Sequence, residues 1–142
     1  MSSGTRRWVM TLNGSEKPTR GEVWLVRFGA GEPGEPTKNR PAVVVNHGTF
    51  PGTDTRDLCM MVPLSASMTS SMARPLVAAG ETGLNRDSVA VPTAIRGMST
   101  KRLLAKFGRV DDETMGRIGQ AMIALMDLPT RPVGADRQAR EH

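Results

Sequence analysis

Asn39-Arg40-Pro41-Ala42-Val43-Val44-Val45 is the stretch on which the fold of this chain turns. A polar loop ends at an arginine, proline sets the next backbone angle, and a β-branched run begins. Proline has no N–H for a ladder, so it suits the first position or an edge of a strand. The valines after it read as a buried strand. Arg40 then stands at a strand mouth on a stiff backbone, where a positioned cation is useful. By composition alone, a charge at a strand end reads as solvated surface.

Working outward, Glu22–Phe28 (EVWLVRF) reads as the preceding strand, apolar at Val23, Leu25 and Val26. The Gly/Pro-rich segment 29–39 joins it to the valine strand, which spans Pro41–Asn46, and is long for a simple hairpin. Residues 47–56 form a second loop dense in turn formers, and Asp57–Leu64 (DLCMMVPL) a third strand. Ser65–Ser71 is small and polar. Arg74–Ala79 and Asp87–Val91 are shorter strands, Ser99–Leu104 one or two helical turns with Ser99 as a cap, and Phe107–Val110 a last strand. A helix from Asp111 to about Leu128 carries acids in its first turn and Met115, Ile118, Met122, Leu125 and Met126 at helical spacing, a face suited to core or dimer packing. Five or six short strands with one terminal helix predict a mainly β (α+β) fold: a small β-barrel with a helix on its side, not a doubly wound sheet.

The 142 residues suit one domain, with residues 20–129 as its body and 1–19 and 130–142 as flexible tails. The net charge is +5, from 19 basic and 14 acidic side chains. The body holds 13 Lys/Arg against 11 Asp/Glu, so it carries +2 and the tails the remaining +3. Such a balance permits a polyanionic partner only through locally clustered arginines. The start of the chain lacks a signal-peptide core, and no run approaches the ~20 apolar residues of a membrane span. The single cysteine, Cys59, lies in an apolar run, which excludes a disulfide within the chain and fits a reducing cytoplasm.

Gly29-Ala30-Gly31-Glu32-Pro33-Gly34 matches G-x-G-x-x-G letter by letter. A dinucleotide fingerprint needs a helix to follow, and here Glu35, Pro36 and a strand follow instead, with two glutamates to repel phosphate. One Cys and two His offer no metal-ligand cluster, so neither metal nor cofactor is expected. No Ser/His/Asp set announces itself; His47 reads as a loop histidine, eligible by its titration range as an acid or base. What remains is a metal-free constellation. Glu35 lies five residues before Arg40 across a turn that can bring both onto one rim, Ser65 and Ser67 follow the Val62-Pro63-Leu64 strand end, and Arg74 and Arg96 border later strands. A carboxylate, arginines and hydroxyls are what transfer within an RNA phosphodiester needs. A base takes the ribose 2′-OH proton, and fixed donors neutralise charge on the phosphoryl oxygens. Arginine's planar fork can contact two of those oxygens at once.

Read in order, Arg20-Gly21-Glu22-Val23-Trp24-Leu25-Val26, Glu35, Arg40-Pro41-Ala42-Val43-Val44-Val45, Val62-Pro63-Leu64-Ser65, Asp87-Ser88-Val89-Ala90, Ile95-Arg96, Arg102-Leu103 and Gly108-Arg109-Val110 with the terminal helix resemble the MazF/PemK toxin family, and closely its actinobacterial branch. The likeness covers about residues 20–129. It implies a CcdB/MazF-like, SH3-like barrel with a C-terminal helix, a homodimer, and a toxin that cuts RNA selectively without metal, leaving 2′,3′-cyclic phosphate and 5′-hydroxyl ends. It also implies a cognate antitoxin whose flexible, acidic segment covers the RNA groove. By the resemblance Glu35 is the candidate base, Arg40 the catalytic arginine, and Ser65 takes the place of the family's usual threonine. Ser67, Thr69, Arg74, Arg96 and His47 are candidates for contacting RNA, with loops 67–71 and 49–56 lining base pockets.

The chain departs from the family at Thr93 and Ala94, where many members carry an acid and an amide, and at His47, where many carry Asn or Asp. Those changes predict a different sequence preference and leave the catalytic set in place. Two rivals share the fold: a non-catalytic toxin that inhibits gyrase, and an inactive RNA-binding barrel. Single-strand binders usually present aromatic platforms. The body has only Trp24, Phe28, Phe50 and Phe107, and no tyrosine.

Overall fold

The computed structural model describes residues 17–47 and 57–130. Seven strands precede one helix: β1 (Glu22–Gly29), β2 (Lys38–Val44), β3 (Leu58–Ser65), β4 (Leu76–Val77), β5 (Ser88–Ala90), β6 (Arg96–Ser99), β7 (Leu103–Arg109) and α1 (Asp112–Met126). All pairings are antiparallel, in the order β4-β5-β3-β2-β1-β7, with β6 on β3. The sheet curls into a half-barrel because β3 changes partner along its length. Leu58–Met61 pair with β6, while Leu64 and Ser65 pair with β5. Pro63 sits at the changeover, where it has no N–H to donate and its carbonyl accepts from the Val91 N–H at 2.9 Å.

Strand alternation sorts the apolar side chains into two cores. Trp24, Val26, Phe28, Val44, Met61 and Met98 fill the inside of the curl. Val23, Val43, Val62, Leu64 and Val77 face the other way and meet Met115 and Ile118 of α1. The helix starts where the sequence places it: the Asp111 carboxylate accepts from the Thr114 N–H at 2.8 Å. Its apolar stripe is only partly used. Met115 and Ile118 are buried and Met122 half-buried, whereas Leu125 and Met126 are exposed.

Three local features differ from the sequence expectations. β2 begins at Lys38 rather than Pro41, since a bulge between Arg27 and Gly29 lets Asn39 and Lys38 join the β1 ladder; Pro41 still precedes the β2–β3 ladder, which starts at Ala42. Within 99–104 only Thr100–Arg102 makes a single 3-10 turn, and Leu103 already begins β7 because Leu103 and Ala105 must face the core. β6 carries no strand pattern of its own, with Arg96 and Gly97 exposed. It exists through its pairing with β3. At the N-terminal side the packed body includes Pro18, which is buried, and Thr19, whose N–H donates to Glu22 at 2.8 Å. Among the described residues no helix is long and apolar enough to cross a membrane.

Candidate active site

Ala42 pairs with Pro63. Carried two residues further, this register brings Arg40, still inside β2, beside Ser65 at the end of β3, on the same face of the sheet. The loop between β1 and β2 borders that end through Gly34, Glu35 and Pro36, leaving an open pocket of about 240 Å³. Its polar lining is Glu35, Arg40, Ser65 and Ser67; Pro36, Pro63, Leu64, Met68, Val91 and Ala94 form the walls. Nothing in the sequence marks Met68 or Val91 for this place, since a methionine in a polar stretch and a valine after a strand carry no chemical signal.

Each polar group is held by its own local structure. The Glu35 N–H donates to the Glu32 carbonyl at 2.9 Å, and the Glu35 carboxylate accepts from the Glu32 N–H at 2.9 Å. A side chain at Gly31 would crowd that carboxylate, with a Cβ 3.1 Å from Oε1, and Gly34 has φ +91°. The glycine pattern of this loop therefore builds a turn around a carboxylate rather than a cradle for phosphate. Arg40 is half-buried and donates from Nε to the Thr37 carbonyl at 2.9 Å. That single bond orients the guanidinium and leaves the Nη N–H groups for an anion. Ser65 is buried at the rim, and its Oγ accepts from the Ser67 N–H at 3.3 Å and lies 3.3 Å from Ser67 Oγ.

The other sequence-derived candidates lie outside this pocket. Arg74 donates from Nε to the Thr69 carbonyl at 3.3 Å and so braces the 65–74 loop, while Thr69 itself is exposed. Arg96 opens β6 with its guanidinium 5.9 Å from the centroid of the Phe28 ring, a cation–π pair at the mouth of the inner core. His47 is exposed at the end of the described segment. The proposed base-pocket loop 49–56 lies outside the described residues, whereas 67–71 is exposed beside the pocket, through Ser67 and Met68. No three His, Cys, Asp or Glu side chains gather among the described residues.

A buried carboxylate braces the strands behind the site. Glu22 accepts from the Thr19 N–H at 2.8 Å and the Trp24 indole N–H at 3.0 Å, and pairs with Lys106 Nζ at 2.8 Å and Arg109 at 3.7 Å. Burial alone would raise its pKa, but the bonds from Lys106, Thr19 and Trp24 together outweigh that and hold it below its usual range. Arg109 also donates to the Arg20 carbonyl at 2.7 Å, and Arg20 to the Val45 carbonyl at 2.6 Å. This network ties β7 and the entry to β1 onto the far end of β2.

Residues 19–126 match the family model described as PemK-like, MazF-like toxin of type II toxin–antitoxin system. The chain is 32% identical over 113 residues to endoribonuclease MazF9 of Mycobacterium tuberculosis, covering 77% of this chain and 96% of that protein. Among solved structures, MazF from Deinococcus radiodurans superposes with a TM-score of 0.67 at 14% identity, over 80% of this chain and 99% of that one. An endoribonuclease in complex with its cognate antitoxin, from a mycobacterial species, superposes with a TM-score of 0.62 at 19% identity, over 80% and 99%. At these identities the two structures speak for the fold.

Proposed function

Because the chain belongs to the PemK-like, MazF-like toxin family of type II toxin–antitoxin systems, we propose that it is an endoribonuclease toxin that cuts single-stranded or looped RNA without a metal ion. One observation carries the mechanism: Glu35, Arg40 and Ser65 line the same pocket. Glu35 takes the proton from a ribose 2′-OH, whose oxygen then attacks the adjacent phosphorus. The bond to the 5′-oxygen breaks and that oxygen takes a proton from solvent water, while Glu35 returns its proton to solvent, so the products are a 2′,3′-cyclic phosphate and a 5′-hydroxyl. Charge building on the phosphoryl oxygens is met by the Arg40 Nη groups and the Ser65 hydroxyl, both positioned before the reaction starts. The Ser67 N–H donates to Ser65 Oγ, and the Ser65 hydroxyl proton can turn from Ser67 Oγ to a phosphate oxygen. Deoxyribose offers no nucleophile, so DNA is not cut.

The chain acts in the cytoplasm as a homodimer and is restrained by a cognate antitoxin. Leu58 and Met60 support the dimer: they stand exposed beside β6, whose outer edge has no partner strand among the described residues. Cleavage of a total-RNA pool in EDTA, with end mapping, tests the whole reading. Recurrent cuts bearing cyclic-phosphate ends are expected, and Arg40→Ala should slow them by roughly 10²-fold or more, the usual effect of losing a preorganised donor. The variant should stay folded, since among the described residues the Arg40 side chain makes one bond, to Thr37, and its backbone pairing with Val26 does not need the side chain. Intact RNA with folded, antitoxin-free protein would overturn the nuclease assignment and send the search to gyrase.

A further inference from the structure

A second pocket, of about 300 Å³, lies at the same end of the sheet on its opposite face. Its floor is apolar, made by Leu25, Pro41, Leu84 and Phe107, and two exposed polar side chains, Asn85 and Arg86, stand on its wall. Chain neighbours divide between the two pockets: Arg40 lines the first and Pro41 the second, Ser65 the first and Ala66 the second. One strand end therefore separates them. We infer that this second pocket holds the base of an unpaired nucleotide flanking the cleaved phosphodiester, and that Asn85 and Arg86 read its edge.

The chemistry fits a base better than other occupants. An apolar floor that includes a half-buried phenylalanine suits the apolar surface of a base, which every base presents. An amide supplies both a donor and an acceptor, and a guanidinium a two-pronged donor, which is what discrimination between base edges requires. Neither side chain makes a hydrogen bond or ion pair among the described residues, so each is available to a ligand. The adjoining Asp87 stays anionic while its Oδ1 accepts from the Ala79 N–H at 2.9 Å, and the Arg86 guanidinium next to it in the chain carries the opposite charge. The wall is also held in place. Gly83 has φ +78°, and a Cβ there would come within 2.3 Å of the Phe107 carbonyl oxygen, so only glycine lets this loop close onto β7. This subsite rests on the endoribonuclease reading for the kind of ligand, and binding can test it apart from cleavage.

The probe is a short single-stranded RNA, 2′-O-methylated throughout so that it cannot be cut, carrying one abasic position moved along its length. Titrations of the wild type and of the Asn85→Ala/Arg86→Ala double variant complete a thermodynamic cycle. Removing the base at one position should weaken binding to the wild type by roughly tenfold, and the double variant should lose the same factor with the intact RNA. In the combined case the two losses should not multiply. Both substitutions are at exposed positions, and a circular dichroism spectrum matching the wild type confirms the fold. Equal binding by variant and wild type, or losses that multiply at every position, would overturn the subsite. So would RNA binding that is unchanged while an acidic antitoxin-derived peptide binds tenfold less well, which would make the pocket a protein groove. If the wild type shows the coupling yet cuts no unmodified RNA, the subsite stands and the nuclease assignment alone fails.

Discussion

Replacing Glu22 with Gln should destabilise the protein strongly and change how it responds to acid. The carboxylate is 5% exposed and is shared by the Thr19 N–H, the Trp24 indole and Lys106, with Arg109 beyond them. A glutamine keeps one oxygen for Thr19 or Trp24 but turns an NH₂ group toward the Lys106 ammonium. A hydrogen bond to a charged group contributes about 1.5–3 kcal/mol, and orphaning one partner of a buried pair costs about 3–5 kcal/mol. Lys106 is 32% exposed and can find water, so the cost falls toward the lower end, about 2–4 kcal/mol. The carboxyl pKa is depressed in the folded protein from an ordinary value of 4.5. Its stabilising contribution is therefore complete above that value and is lost as pH falls through the lower, folded value. Urea unfolding followed by circular dichroism, at pH 7 and at steps below 4.5, measures both effects. The wild type should lose stability faster than the variant on acidification, so that their curves converge. A loss under about 1 kcal/mol at neutral pH, or parallel acid profiles, would refute this account of the network.

Three further outcomes are expected. Ser65→Ala should lower the cleavage rate by roughly 10–10²-fold through loss of a hydroxyl donor to phosphate, whereas Ser65→Thr keeps the hydroxyl and most of the activity; initial rates on one mapped RNA site decide it. Gly83→Ala should destabilise the fold by more than the ~1 kcal/mol of a left-handed backbone alone, because its Cβ meets the Phe107 carbonyl; a melting curve close to the wild type would contradict that contact. The Cys59 thiol is buried, which pushes its pKa up to about 11, with the nearby Glu22 charge adding to the rise. Cys59 should thus resist iodoacetamide at pH 8 in the native protein and react once urea unfolds it, as read by mass spectrometry.

The β1–β2–β3 core and the terminal helix were legible because their signals are local. Val43-Val44-Val45 after a proline, Trp24 among β formers, and Asp111 ahead of a 3.6-residue apolar period each state their conformation within a few residues. Glu35, Arg40 and Ser65, which the sequence groups by their chemistry and by the order of the family motifs, line one pocket, and their catalytic roles are the proposal made above. Sequence could not show that Arg40 and Ser65 share a pocket, because that follows from the β2–β3 register, which is a long-range pairing. Nor could it explain the glutamate of Arg20-Gly21-Glu22-Val23-Trp24. Its partners Lys106 and Arg109 arrive from the far end of the chain. β6 has no pattern of its own and becomes a strand only because β3 offers it an edge, and the second pocket forms only where Gly83 lets a loop meet Phe107. Sequence by itself determined the elements whose free energy is set by neighbours along the chain. Tertiary structure alone decided which distant groups share a pocket, since contact between them depends on register and packing rather than on local preference.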